Sequence, residues 1–154
     1  MHRILAAAIA AALAACAPVA EVAPSPEAKP PAMNKAVPAP TPADVPVRVT
    51  ADDDGETIAV PVGGRFAVEL VGVPTAGYVW QVDHRPAFLS APQELGGATS
   101  TAQAQPGFTG GNHWEVFVFT AAGPGEGVLK LGQRRPWEDG EPPTRTFTVT
   151  VRAQ

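Results

Sequence analysis

The sequence predicts an all-β domain over residues 47–154, folded as a β-sandwich of about seven strands. Short segments that alternate apolar and polar residues recur along this region, with Gly and Pro between them. The region shows no helical period of useful length. Its size is that of a single domain, so we expect one hydrophobic core between two sheets.

Six segments carry the strand signal. They read ETIAVPVG, RFAVELVG, YVWQVD, HWEVFVFTA, GVLKLGQ and TRTFTVTVRA, in chain order. The last is the clearest, because Phe147, Val149 and Val151 fall on one face and threonines fall on the other. β-Branched and aromatic residues are frequent in these segments, as they are in strands generally. The period of two predicts half-buried strands that cover a common core.

The segment HWEVFVFTA is apolar on both faces. If Trp114, Val116 and Val118 face the core, then Phe117 and Phe119 must face outward, because successive side chains of a strand point to opposite sides. We therefore expect these two phenylalanines to form a second apolar face, covered by a long loop; a binding patch is the alternative.

The N-terminus predicts a secretory signal over residues 1–15. A short basic start leads into an apolar, alanine-rich run that is too short for a stable membrane span. Leu13-Ala14-Ala15-Cys16 resembles a bacterial lipobox, and Cys16 is the chain's only cysteine, which excludes an intramolecular disulfide and favours lipidation. An ordinary cleaved signal with an incidental cysteine is the alternative. With Ala17 after the cysteine, we expect a lipid-anchored protein of the cell envelope, at the outer membrane rather than the inner.

Residues 16–46 are rich in Pro and Ala and contain no aromatic residue. Such a composition buries too little apolar surface to offset the entropy of ordering it. Proline density favours extended, semi-rigid spacers. We therefore predict a disordered linker between a lipidated Cys16 and the β-domain.

Charge and composition exclude several classes of function. The chain carries 11 Lys and Arg against 15 Asp and Glu, a net charge of −4, which argues against nucleic-acid binding. His84 and His113 have no accompanying metal-ligand pattern, so we expect no metal and no cofactor. The β-domain has neither a cysteine nor a Gly-x-Ser-x-Gly motif. These observations predict a protein that is not an enzyme.

Three connections between the predicted strands place proline or glycine beside large or polar side chains. They are VPTAGY at residues 73–78, a long Gly-punctuated segment over residues 90–113, and QRRPWEDGEPP at residues 133–143. Alternate connections of a sandwich emerge at the same end. The three loops are therefore expected to form one continuous surface.

These three motifs, VPTAGYVW, FTGGNHWEVFVFTAAG and RRPWE, together resemble the chagasin-type inhibitors of papain-like cysteine proteases. That family has Asn-Pro-Thr-Thr-Gly-Tyr/Phe, Gly-x-Gly-Gly and Arg-Pro-Trp in the same order. The resemblance covers essentially the whole β-domain. It implies an immunoglobulin-like sandwich whose three loops enter the protease cleft together and block it reversibly and non-covalently, with a papain-like cysteine protease as partner.

The resemblance assigns the protease contacts residue by residue. The first motif would supply a close-approaching backbone, the glycines a loop over the other side of the groove, and Trp137 the main anchor. The assigned residues are Pro74, Thr75, Ala76, Gly77, Tyr78, Gly110, Gly111, Arg135, Pro136 and Trp137. Arg135 would either pair with an acidic group of the enzyme or brace its own loop, and Tyr78 would support the first loop from beneath. The domain is expected to be a monomer.

The sequence departs from the family pattern at three positions. Val73 replaces the usual Asn, Ala76 replaces the second Thr, and the first glycine of the middle motif is either displaced to Gly107 or replaced by Phe108. An alternative function fits the same chain: a lipid-anchored, immunoglobulin-like module for adhesion or envelope assembly, with no protease target. Inhibition of papain separates the two hypotheses.

Overall fold

The computed structural model describes residues 34–138 and 140–154. The predicted signal peptide at residues 1–15, Cys16 and the linker up to residue 33 lie outside the described residues. Within the described part, no helix is long and apolar enough to cross a membrane.

The described chain contains eight strands and three short 3-10 turns. The strands are β1 (Val47–Thr50), β2 (Thr57–Val60), β3 (Arg65–Gly72), β4 (Val79–His84), β5 (Gln93–Ala98), β6 (His113–Thr120), β7 (Gly125–Arg134) and β8 (Arg145–Ala153). The 3-10 turns are Ala51–Asp53, Pro74–Ala76 and Thr101–Ala104. The predicted all-β class is confirmed.

Two four-stranded sheets form the sandwich. The first has the order β1-β3-β6-β5 and the second has the order β2-β8-β7-β4. The edge strands β1 and β2 pair in parallel with β3 and β8, and the other neighbouring strands pair antiparallel. The sheets are connected by short segments that cross between them, such as the one from β3 to β4.

Strand β5 lies inside the segment that the sequence predicts as a long loop. Residues 90–113 hold this strand and the 3-10 turn at Thr101–Ala104, so the loop proper shortens to residues 105–112. The prediction was wrong here because QELGGA contains two glycines and little apolar alternation, and its pairing with β6 supplies what its own pattern lacks. Strand β1 was also absent from the predicted segments.

The main core fills the space between the two sheets. Phe66 and Phe119 stack there with ring centroids 5.3 Å apart, and Phe147, Leu129 and Leu131 are fully buried around them. Burying this apolar area is the dominant favourable term in folding. The core thus holds the two sheets in the fixed relation on which the loop positions depend.

The predicted facing of β6 was inverted. Phe117 and Phe119 point into the main core, and Trp114, Val116 and Val118 point to the outer face of the first sheet. A second apolar face does exist, but the other set of side chains forms it. Alternation alone cannot distinguish the two faces of a strand when both are buried.

A segment before β1 covers this second apolar face. Residues 35–45, here called the strap, run along the outer side of the first sheet, where Val45 is 2% exposed and packs with Ala67, Val116 and Val118. Residues 34–46 are therefore part of the packed domain rather than a free linker. The packing begins about a dozen residues earlier than composition predicted, because the proline-rich strap gains its apolar contacts from the sheet beneath it.

Candidate functional site

Strand register brings three loops to the same end of the sandwich. Gly72, the last residue of β3, pairs with His113, the first residue of β6. Val79, the first residue of β4, pairs with Arg134, the last residue of β7. The first loop (residues 73–78) therefore lies between the end of the second loop (residues 105–112) and the start of the third loop (residues 135–144).

The first loop is closed by its own backbone. Val73 and Tyr78 exchange hydrogen bonds of 2.9 and 3.1 Å, the N–H of Ala76 donates to the carbonyl of Val73, and that of Gly77 donates to Pro74. Pro74 starts the 3-10 turn, where its fixed φ suits the first position. The side chain of Val73 makes no capping bond, so the usual Asn is not needed to close this turn.

Gly77 joins the first loop to the third. Its φ is +83°, a left-handed conformation that favours glycine. A Cβ atom at this position would overlap the indole ring of Trp137, so the ring lies directly on the glycine backbone. Trp137 is nevertheless 67% exposed, the most exposed large apolar side chain in the described structure. One face of the indole is held and the other is free to contact a partner.

Arg135 braces the first loop from the side. Its Nε–H donates to the carbonyl oxygen of Ala76 at 3.0 Å, and its guanidinium lies 4.5 Å from the centre of the Tyr78 ring. It also pairs with Glu138 at 2.9 Å, and this hydrogen bond raises the pKa of Arg135 above its ordinary value. The pair with Glu138 braces the third loop itself, which is one of the two roles expected for Arg135, and the contacts with Ala76 and Tyr78 are an additional brace that the sequence did not predict.

The second loop lies on the other side of the first. A Cβ atom at Gly110 would lie 3.9 Å from the hydroxyl oxygen of Thr75, so the two loops are in contact there. Gly111 has a φ of +99°, and the ring of Phe108 lies within 3.2 Å of the place where its Cβ would be. Phe108 is 42% exposed.

The three loops form a surface with small side chains at its centre and an aromatic residue at each side. Pro74, Thr75 and Ala76 are exposed at the tip of the first loop, with Trp137 beside them and Phe108 across the second loop. All ten residues assigned from the sequence lie on these three loops at one end of the molecule. The strand pairings place the three loops at one end of the sandwich, as expected from the sequence, and the contact of these residues with a protease stays a prediction.

The site includes Phe108, which the sequence motifs alone did not assign to it. Under one of the two alignments with the family pattern, Phe108 replaces the first glycine of the middle motif. An apolar aromatic residue within a Gly- and Thr-rich loop is the signal that could have identified it.

The buried Trp80 and the half-buried Glu115 lie beneath the first loop. Trp80 is 5% exposed, and its indole N–H donates to the carbonyl of Val71 at 3.1 Å. Its backbone N–H donates to Oε2 of Glu115 at 2.6 Å. Burial raises the pKa of Glu115, the hydrogen bond from Trp80 opposes this, and the nearby charge of Glu94 adds to it. Trp80 therefore has a structural role beneath the loop.

The described residues hold no group of His, Cys, Asp and Glu side chains that could bind a metal ion. The exposed centre of the three-loop surface consists of backbone and small side chains, with aromatic rings at its sides and the Arg135–Glu138 ion pair in the third loop.

The comparison with known families decides the identity. The sequence model described as the chagasin family peptidase inhibitor I42 matches residues 59–151. The chain belongs to the chagasin family of peptidase inhibitors. This chagasin-family domain is therefore an inhibitor and not an enzyme, as the sequence predicted. The matched region contains all three loops, including Phe108.

Curated relatives extend over nearly the same region. The chain is 32% identical to Amoebiasin-1 of Entamoeba histolytica over 107 residues, which are 69% of this chain and 98% of that protein. It is 27% identical to Amoebiasin-2 of the same organism over 104 residues, covering 67% of this chain and 81% of the relative.

Solved structures confirm the immunoglobulin-like sandwich. The crystal structure of a cysteine protease inhibitor from Entamoeba histolytica superposes with a TM-score of 0.60 at 25% identity, covering 70% of this chain and 95% of the other. The solution structure of Amebosin gives a TM-score of 0.57 at 34% identity, covering 70% and 97%.

Proposed function

We propose that this chagasin-family domain inhibits papain-like cysteine proteases by filling the active-site cleft with its three loops. The observation that carries the proposal is the single surface formed by the exposed tip of the first loop, with Trp137 packed on Gly77 and Phe108 on the opposite side. The similarity to a crystallised cysteine protease inhibitor supports the class of target.

The first loop is suited to block a cleft without being cut. Thr75 and Ala76 have small side chains, so the backbone of the turn can approach the catalytic thiol and imidazole closely. Since the turn is already closed by four backbone hydrogen bonds, little conformational entropy is lost on docking. A protease must align a scissile bond with its nucleophile to cut it. The tight 3-10 turn does not offer an extended segment for that alignment.

The two aromatic residues supply contact with the walls of the cleft. Trp is enriched among the residues that dominate binding energy, and Trp137 presents a large rigid area that is held in place before binding. Phe108 offers a second apolar contact on the side of the second loop. The centre of the surface then excludes substrate while its two sides provide most of the affinity.

Inhibition of papain by the purified full chain tests the proposal. We expect a submicromolar Ki that rises about 30-fold in Trp137→Ala, equivalent to about 2 kcal/mol for a hot-spot residue. Thr75→Glu should weaken inhibition by a similar factor, because it places a bulky charge at the tip. Val128→Ala is the matched control, since Val128 is 47% exposed on β7 outside the three loops and should leave Ki unchanged.

If the folded chain, in excess, leaves papain and a panel of cathepsin L-like enzymes fully active, the proposed target class is wrong. The adhesion or envelope-assembly hypothesis would then be favoured.

We also propose that the protein is a bacterial lipoprotein whose head is a monomer. A lipid on Cys16, after removal of residues 1–15, would anchor the chain to the cell envelope, at the outer membrane. Fractionation tests this: Cys16→Ser should move the protein from the membrane fraction to the soluble fraction. Recovery of the variant in the membrane fraction would contradict the anchor, and a dimer by sedimentation would contradict the monomer.

A further inference from the structure

We infer that the strap is a positioning element of the inhibitory surface, which holds the base of the second loop in place through residues 35–37. The strap lies outside residues 59–151, the region that matches the family. Its effect on inhibition rests on the proposed function, whereas its effect on the second loop does not.

The N-terminal part of the strap pairs with the segment that leads into the second loop. The backbone N–H of Lys35 donates to the hydroxyl oxygen of Thr101 at 3.0 Å, and the N–H of Thr101 donates back to the carbonyl of Lys35 at 2.9 Å. The N–H of Val37 donates to the carbonyl of Thr99 at 2.9 Å. Residues 99–101 thus gain an additional strand-like partner at the point where β5 has ended.

A tryptophan fixes the strap to the sheet at the same level. The indole N–H of Trp114 donates to the carbonyl of Val37 at 2.8 Å, across 77 positions of sequence. Trp114 is the second residue of β6, directly after the second loop. Val37 therefore bonds to the chain on both sides of that loop, before it through Thr99 and after it through Trp114.

Gln103 transmits this anchoring across the loop. Its side-chain oxygen accepts the backbone N–H groups of Thr99 and Ser100 at 2.6 and 3.0 Å. Its amide nitrogen donates to the carbonyl of Asn112 at 2.7 Å, next to Gly111. The hydroxyl of Thr99 also donates to the carbonyl of Asn112, at 3.1 Å. The two ends of the loop are thus joined by the side chains of Gln103 and Thr99, and the strap bonds to the backbone of Thr99.

The other end of the strap has a different role. Val45 is buried at 2% exposure in the second apolar cluster, and Thr41 donates a hydrogen bond to the buried carboxylate of Glu69. These contacts stabilise the outer face of the first sheet, away from the loops. The strap thus provides its own control: one end should act on loop order and the other on global stability.

Hydrogen exchange of the full chain tests the positioning role directly, without a protease. Val37→Pro removes the N–H that bonds to Thr99, and Trp114→Phe removes the indole donor while keeping an aromatic ring. We expect amides of the second loop to exchange about tenfold faster in both variants, with those of the first loop unchanged. Val45→Ala should lower Tm by several degrees. The exchange rate of second-loop amides relative to first-loop amides should stay as in the wild type.

A double-mutant cycle tests the consequence for inhibition. Val37→Pro should raise Ki about five- to tenfold. Its effect on the binding free energy should be less than additive with that of Phe108→Ala on the second loop, and additive with that of Trp137→Ala on the third. Unchanged second-loop exchange in Val37→Pro and Trp114→Phe would overturn the inference even if the chain inhibits papain. If these variants exchange faster but the wild-type chain inhibits no protease tested, the proposed function is wrong and the positioning role stands.

Discussion

The first and second loops reach the same surface, but they are held in different ways. The first loop closes through four hydrogen bonds among six consecutive residues. The second loop has one internal backbone bond in the described structure, from Phe108 to Gln105. It is otherwise fixed by the side chains of Gln103 and Thr99 and by the strap. One loop carries its conformation in its own sequence, and the other takes its conformation from distant segments.

The first loop keeps Pro74 and Gly77 of the family pattern although Val73 and Ala76 depart from it, because backbone hydrogen bonds close the turn. A locally closed turn needs particular residues at particular positions, so Pro74 and Gly77 are readable in the sequence. A loop that is fixed at its base by other segments tolerates a change such as Phe108 at its tip. We expect changes in the first loop to act locally and changes around the second to act at a distance.

Gly77→Ala should give the largest effect, because it strains the first loop and displaces Trp137 together. The added methyl overlaps the indole ring, and the backbone has a φ of +83°. We expect Ki to rise about 100-fold, equivalent to about 2.7 kcal/mol, while second-loop hydrogen exchange stays unchanged. Gly63→Ala is the control, since Gly63 has a φ of +82° with open space around it. It should lower Tm to a similar degree without changing Ki, and equal effects on Ki would refute the Trp137 contact.

Arg135→Ala tests whether the third loop braces the first. The variant loses the hydrogen bond to Ala76 and the contact with the Tyr78 ring, so we expect Ki to rise about tenfold, or about 1.4 kcal/mol. Arg135→Lys should recover part of this, because an ammonium group can reach the carbonyl but lacks the planar fork. Arg152→Ala removes a comparable exposed ion pair with Glu126 and serves as the control. An effect of Arg152→Ala as large as that of Arg135→Ala would argue against a specific brace.

Phe108→Ala measures what the tip of the second loop contributes. The side chain is 42% exposed, so its further burial on binding is worth about 1 kcal/mol, or about fivefold in Ki. Val62→Ala is the control, as Val62 is 46% exposed in the turn between β2 and β3. Equal Ki values for wild type and Phe108→Ala across a panel of papain-like proteases would remove Phe108 from the binding surface.

Glu115→Gln should give the smallest effect, confined to stability. Burial raises the pKa of Glu115, so its contribution to stability is fully present below its ordinary pKa and is lost as pH rises through the raised value. The amide keeps an acceptor for the Trp80 N–H and removes the buried charge. We expect Tm at pH 7 to rise by about 2–4 °C, about 0.5 kcal/mol for a domain of this size, with a flatter dependence on pH between 4 and 7. A fall in Tm would show that the charge itself holds Trp80.

Much of the fold and site was predictable because it depends on local patterns. Alternation located β8, and the motif order located the first and third loops. The inverted facing of Phe117 and Phe119 was not predictable, since the strap buries the outer face of β6 and removes the polar residues that would mark it. The strap itself contacts residues more than 60 positions away, at Thr99 and Thr101. Composition describes such a segment as a linker, because its partners are visible only after folding.

The described chain enters the sandwich beside the three loops. Ala36 forms a bridge with Ser100, beside the three loops, whereas Asp44 forms an ion pair with Arg65 at the far end of β3. Residues 34–36, where the described structure begins, therefore lie at the pole that carries the three loops. Under the proposed anchoring through Cys16, shortening the chain before Ala36 would therefore restrict which enzymes have room to be captured.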